Sequence, residues 1–227
     1  GNYLTSEYPA LARALYSHYI ALEMDPELPL EQKKTAMEEW WKKSFKLLID
    51  SGLTKSQVKQ VVDSGMIKFR PGVLNFIETL HSKNAPLVIM SASALGGEAI
   101  NDCLKKEKHY CDNIHIICNS FIWNEEGNAI GVEEPIIHSM NKDETLIQNY
   151  PAFGAVKDRP NVILLGDAVG DIGMVEGFKY DNLIKIGFLN ENKEKLLKTY
   201  KENFDIVITD DGPFDHINDL LRRILNK

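Results

Sequence analysis

The feature that most constrains the fold is a change of hydrophobic period near residue 68. Before it, apolar residues recur at three- and four-residue steps. Met37, Trp40, Trp41, Phe45 and Leu48 trace one face of a helix over 30–50, as a buried helical stripe requires. Similar spacing covers 5–23 and 54–65. Pro26 and Pro29 separate the first two segments, Asp50-Ser51-Gly52 closes the second, and Thr54 stands where a cap of the third belongs. After residue 68 short apolar runs alternate with helical stretches. Pro86–Met90, Ile114–Cys118, Val162–Leu165, Leu183–Gly187 and Ile206–Ile208 read as strands, and Asn124–Asn128 as a hairpin turn. Helices are expected over about 70–82, 96–107, 142–149, from 172, over 191–203 and over 213–226.

Strands alternating with helices build a parallel sheet covered on both faces. The expected architecture is α/β, with 1–68 as a small all-helical unit, the cap of the resemblance given below, and 69–227 as the sheet-bearing core. In open α/β sheets ligands bind beyond the carboxyl ends of the strands. Chemistry is therefore sought just after Met90, Cys118, Leu165 and Ile208.

Composition narrows the function classes. Lys plus Arg number 26 and Asp plus Glu 33, a net charge of −7. That balance argues against a nucleic-acid polymer or an anionic membrane as partner. The longest apolar run is too short for a transmembrane helix. Three cysteines without C-x-x-C spacing fit reduced thiols better than a disulfide framework or a zinc site. A cytoplasmic setting is expected.

Three segments carry candidate chemistry. Ile163-Leu164-Leu165-Gly166-Asp167-Ala168-Val169-Gly170-Asp171 delivers two carboxylates to a glycine-bordered loop at a strand end. Hard oxygen ligands in that position suit Mg²⁺; equally, Asp171 can cap the following helix. Ser91-Ala92-Ser93 follows the first candidate strand and precedes Gly96-Gly97. A hydroxyl with helix-start N–H groups can cradle a phosphate, or a serine there can be an N-cap. Lys142, after His138-Ser139-Met140-Asn141, can neutralise phosphate or sit solvated at the surface. His138 reads more readily as a packed histidine than as a base.

In this order, Ser91, Lys142 and Gly166-Asp167…Gly170-Asp171 resemble motifs two, three and four of the haloacid dehalogenase superfamily of phosphohydrolases. Further segments tighten the resemblance to the cytosolic pyrimidine 5′-nucleotidase family: Tyr19–Pro26, Met37–Trp41, Ser91-Ala92, Ile137–Lys142 and Leu164–Asp167. That family includes a relative acting on 7-methylguanosine monophosphate. The resemblance implies a three-layer, Rossmann-type parallel sheet with an α-helical cap. It implies Mg²⁺-dependent hydrolysis of nucleoside 5′-monophosphates by a monomer. By the same resemblance Ser91 and Ala92 hold the phosphate, Lys142 contacts it, Asp167 binds Mg²⁺, and Asp171 supports the metal shell or orients Lys142. Glu23 and Ser44 contact the base. Ser93-Ala94-Leu95 departs from the Gly-Ile-Gly more usual after Ser-Ala.

The superfamily's first motif, D-x-D-x-T on the first core strand, supplies the nucleophilic Asp that forms an aspartyl-phosphate. Residues 1–227 contain no such segment; Thr209-Asp210-Asp211-Gly212 puts Thr where the nucleophile belongs. A core lacking its central strand forfeits roughly five buried side chains, on the order of 10 kcal/mol, comparable with a whole domain's stability. The expectation is an upstream segment carrying that strand. The alternatives are a catalytically inactive nucleotide-binding pseudophosphatase and a phosphatase for another phosphomonoester.

Overall fold

A computed structural model describes residues 4–25, 27–142 and 147–225. The chain packs into two compact units, one built from 1–67, 90–107 and 116–141, the other from 68–89, 108–115 and 142–227.

In the first unit, α1 (Tyr8–Met24) packs on α2 (Leu30–Asp50). Their seam buries Tyr19, Met37, Phe45 and Leu48, each at most 4% exposed. Tyr19 stacks on Trp40 with centroids 5.9 Å apart, and the aromatic series runs on through Trp41 and Phe45 to Phe121. The Thr54 cap on α3 (Lys55–Asp63) is a reciprocal capping box with Gln57, which satisfies two donors that a helix start leaves open. Helix α5 (Gly96–Lys106) packs on α3, where Lys106 Nζ donates to the Val62 carbonyl at 3.0 Å. Strands β3 (Phe121–Trp123) and β4 (Ala129–Val132) form the expected hairpin.

The second unit is built on β5 (Asn161–Gly166), β6 (Asn182–Leu189) and β7 (Ile206–Thr209), all parallel in the order β5-β6-β7. Helices α4 (Val73–Ser82) and α8 (Asp215–Leu225) cover one face, where Phe76, Leu80, Phe214, Ile217 and Leu221 pack with Ile186 and Phe188. On the opposite face Tyr200 and Phe204, on and just after α7 (Lys193–Asn203), meet Leu189, Val169 and Ile172. The alternation along β6 explains both contact sets, since neighbouring strand residues point to opposite faces. Gly187 lies under Phe204, and a Cβ there would stand 2.6 Å from that ring.

Strands β1 (Leu87–Ser91) and β2 (Ile114–Cys118) pair as a separate two-stranded sheet, and among the described residues no strand joins β1 to β5. Two details differ from the sequence reading. The expected α-helix from 172 is instead a 3-10 helix over Val169–Val175; Gly170 and Gly173 weaken α-helix there. A short helix, α6 (Ala152–Val156), was not expected. Residues 143–146 of the helix expected over 142–149 lie outside the described residues, and of the rest only Ile147 is helical. No helix among the described residues is long and apolar enough to cross a membrane. Cys103, Cys111 and Cys118 form no disulfide among the described residues.

Candidate active site

The carboxyl end of β5 carries a buried polar cluster. Lys142 Nζ donates to Asp171 Oδ1 at 2.6 Å, with side chains only 12% and 4% exposed. The other Asp171 oxygen, Oδ2, accepts the backbone N–H groups of Asp167 at 3.0 Å and Ala168 at 3.1 Å. One buried carboxylate therefore ties the lysine to the loop that bears Asp167. This is the close packing that Gly166 permits, because a Cβ on it would lie 2.7 Å from Asp171 Cβ. The helix-capping reading of Asp171 is correct only in part. It takes N–H groups at the start of the 3-10 helix, and it holds Lys142 at the same time.

Asp167 is exposed by area, yet its carboxyl is crowded by protein. That partial desolvation, with the negative charge of Asp171 beside it, raises its pKa above the ordinary carboxylate value, and Lys142 offsets the rise only in part. A carboxylate held in this state favours a cation nearby. Its oxygen chemistry fits Mg²⁺, which uses few protein carboxylates and retains waters. The loop is fixed from below by Tyr200, whose hydroxyl donates to the Asp167 carbonyl at 2.6 Å. Tyr200 is 5% exposed. The sequence reading missed it, because its only local signal is an aromatic residue on a helical face.

The acidic pair after β7 is placed quite differently. Asp210 pairs with Lys193, and Asp211 with Arg70 at 3.2 Å. Both acids are consumed in exposed ion pairs.

In the first unit, Ser91 closes β1 and Ala92 follows it. Ser93, not Ser91, makes the local turn, its hydroxyl accepting the Leu95 N–H at 3.1 Å. Helix α5 has no side-chain N-cap, so the Ser91 hydroxyl is not spent as one. Gly96, at φ +77°, packs against the Asn119 carbonyl, and Gly97 donates its N–H to that same oxygen at 2.9 Å. The glycines here allow close packing, and the loop is anchored by it.

Glu23 stands in the last turn of α1 and Ser44 on α2, both half-buried. Trp41, also half-buried, precedes Ser44 by three residues and so shares its helix face. Glu23 meets a partner that the sequence did not suggest. Ser139 Oγ donates to Glu23 Oε1 at 2.7 Å, across 116 positions of chain. The loop that carries Ser139 is tightly tied. Asn119 both donates to the Ile137 carbonyl and accepts its N–H, at 3.0 and 2.8 Å. Asn141 accepts the His138 N–H and donates to the Ile136 carbonyl, both at 2.8 Å. His138, 3% exposed, accepts the Met140 N–H on Nδ1 at 3.2 Å. Burial pushes its imidazole down to about 4, with Glu38 opposing the shift and Lys34 adding to it. It is a packed, neutral histidine, as the sequence suggested.

The parallel β5-β6-β7 sheet, layered by helices, has the α/β fold of the haloacid dehalogenase type. Phosphoserine phosphatase in its substrate-bound form shares the fold, at a TM-score of 0.53 and 22% identity, with 89% of each chain covered. The chain belongs to the pyrimidine 5′-nucleotidase family (UMPH-1), whose profile matches residues 1–225. This is a family of phosphoric monoester hydrolases. The 7-methylguanosine phosphate-specific 5′-nucleotidase of Homo sapiens is 37% identical over 213 residues, covering 93% of this chain and 70% of that protein. Its Mus musculus counterpart is 35% identical over 212 residues, with the same coverage. The crystal structure of cytosolic 5′-nucleotidase IIIB bound to cytidine matches at a TM-score of 0.83 and 28% identity, over 98% of this chain and 74% of that one.

Proposed function

We propose that this chain provides the cap and most of the core of a cytosolic, Mg²⁺-dependent 5′-nucleotidase. Its substrates are pyrimidine or 7-methylguanosine nucleoside 5′-monophosphates, cleaved to nucleoside and phosphate. The observation that carries the reading is the buried Lys142–Asp171 pair beside Asp167 at the carboxyl end of β5, within a chain of this family. The names of its relatives supply the substrate classes and the cytosolic setting.

In this reading each residue has one task. Lys142, held by Asp171, presents a fixed positive charge to the phosphate, where preorganised charge is most effective. Asp167 is the metal ligand of this chain. Bound Mg²⁺ would neutralise charge on the phosphate oxygens. Ser91 and Ala92 receive the phosphate through a hydroxyl and backbone N–H. Glu23 and Ser44 read the base, and residues 1–68 form the cap that excludes water. The phosphoryl acceptor is an aspartate outside residues 1–227, and the working protein is a monomer.

The test is phosphate release from cytidine, uridine and 7-methylguanosine monophosphates by the full-length gene product, with and without Mg²⁺, beside the Asp167→Asn variant. Magnesium-dependent release that the variant loses is expected. Nucleotide binding without turnover would establish a pseudophosphatase instead. Equal turnover of sugar phosphates or phosphoserine would move the substrate to another phosphomonoester.

A further inference from the structure

We propose that Ser139 is a specificity-determining positioning residue, orienting the Glu23 carboxylate so that it selects bases carrying an exocyclic amine over uracil, which has a carbonyl in that place. The inference rests on the reading of Glu23 as the base-contacting residue and goes one step beyond it.

The geometry holds Glu23 at two points. Its backbone carbonyl accepts Lys33 Nζ at 2.9 Å, which fixes the end of α1. Its Oε1 accepts the Ser139 hydroxyl at 2.7 Å. Among the described residues Oε2 accepts no hydrogen bond. Ser139 is itself well anchored, because the side chains of Asn119, His138 and Asn141 all bind the backbone of the 136–141 loop. A glutamate left alone samples a broad terminal torsion. A short hydrogen bond to a fixed loop removes that freedom before any ligand arrives.

The chemistry then sets the preference. A carboxylate only accepts, through two oxygens with about four lone-pair sites. With Oε1 engaged and Oε2 open, the complementary edge is one that donates: the exocyclic amine of cytosine, or the adjacent N–H groups of 7-methylguanine. Uracil presents a carbonyl oxygen where cytosine presents its amine, and oxygen facing oxygen is repulsive. Buried polar groups left unmatched are what give such sites their discrimination. A wandering carboxylate discriminates less, so the Ser139 hydroxyl acts on the ratio of substrates more than on turnover itself.

The experiment compares kcat/KM for cytidine and uridine monophosphates in the full-length gene product, with Kd for cytidine and uridine measured alongside. Ser139→Ala is expected to lower the cytidine-to-uridine ratio by about three- to tenfold, the range expected when one ordinary hydrogen bond is lost. Uridine monophosphate turnover stays within about twofold. Ser139→Thr, which keeps the hydroxyl, restores the ratio, and Ser139→Ala adds nothing in a Glu23→Ala background. An unchanged ratio in Ser139→Ala, while Glu23→Ala loses it, overturns the proposal and leaves the reading of Glu23 standing. An unchanged ratio in Glu23→Ala removes that reading and the proposal with it. Equal loss on both substrates in Ser139→Ala makes the contact merely structural and overturns the proposal. If turnover is absent, the ratio of Kd values for the two nucleosides distinguishes the same outcomes.

Discussion

Asp171 and Glu23 are both half of a tight polar pair, yet their surroundings differ. Asp171 is 3% exposed, and its two oxygens accept three donors: Lys142 and two backbone N–H groups. Glu23 is half-buried, and its carboxylate accepts one, from Ser139. A carboxylate with its strong acceptor sites filled is a fixture that sets the position of other groups. One with an open oxygen and a fixed torsion can take a ligand. Under the proposed function, the contrast separates a reaction-side cluster, with its acceptors filled, from a recognition-side cluster that keeps capacity in reserve.

The harshest way to break this contrast is Asp171→Ala. It strands the Lys142 charge in a site where that side chain is 12% exposed, and it leaves two loop N–H groups unpaired. Unfolding free energy should fall by about 3–5 kcal/mol, as for other buried pairs that lose one partner. Chemical denaturation measures it, and a loss under about 1 kcal/mol would place Asp171 among ordinary surface carboxylates.

Acidification probes the recognition side. His138 in the folded chain titrates near 4 because burial disfavours its charged form, while an unfolded histidine titrates near about 6.5. Between those values the unfolded chain binds more protons, so stability falls as pH drops through the window and is unaffected above it. The full loss is about 3 kcal/mol. His138→Gln should flatten that part of the profile. Equal slopes in both proteins across that window would remove His138 as the cause.

The gentlest change is Tyr200→Phe, which deletes the hydrogen bond to the Asp167 carbonyl and keeps the ring packed on Phe204 and Leu189. A stability loss of about 1 kcal/mol is expected. The larger signature is a weaker apparent affinity for Mg²⁺ with the cytidine-to-uridine ratio unchanged. A shift in that ratio would blur the two clusters into one.

Much of this organisation was legible in the chain. The period of three and four marked α2 at its observed bounds, and the run Ile114–Cys118 marked β2. The Gly166-Asp167…Gly170-Asp171 spacing located the cluster after β5, because glycine and acid at a strand end are a local pattern. The 3-10 form of the next turn was not legible. It depends on where the Asp171 carboxylate folds back, and an isolated sequence of glycines and apolar residues does not record that.

The sequence alone determined the alternation of elements, the family, and the identity of Ser91, Lys142, Asp167, Asp171 and Glu23 as residues worth following. These are local or order-dependent facts: periodicity, turn chemistry and motif sequence. Tertiary structure decided among the partners the sequence left open and supplied those it did not offer. Asp171 reaches Lys142 across 29 positions, Tyr200 reaches Asp167 across 33, and Ser139 reaches Glu23 across 116. Hydrogen bonds act over about 3 Å, so partners this far apart in the chain are chosen by packing, after the helices and strands have been brought together by burial of their apolar faces.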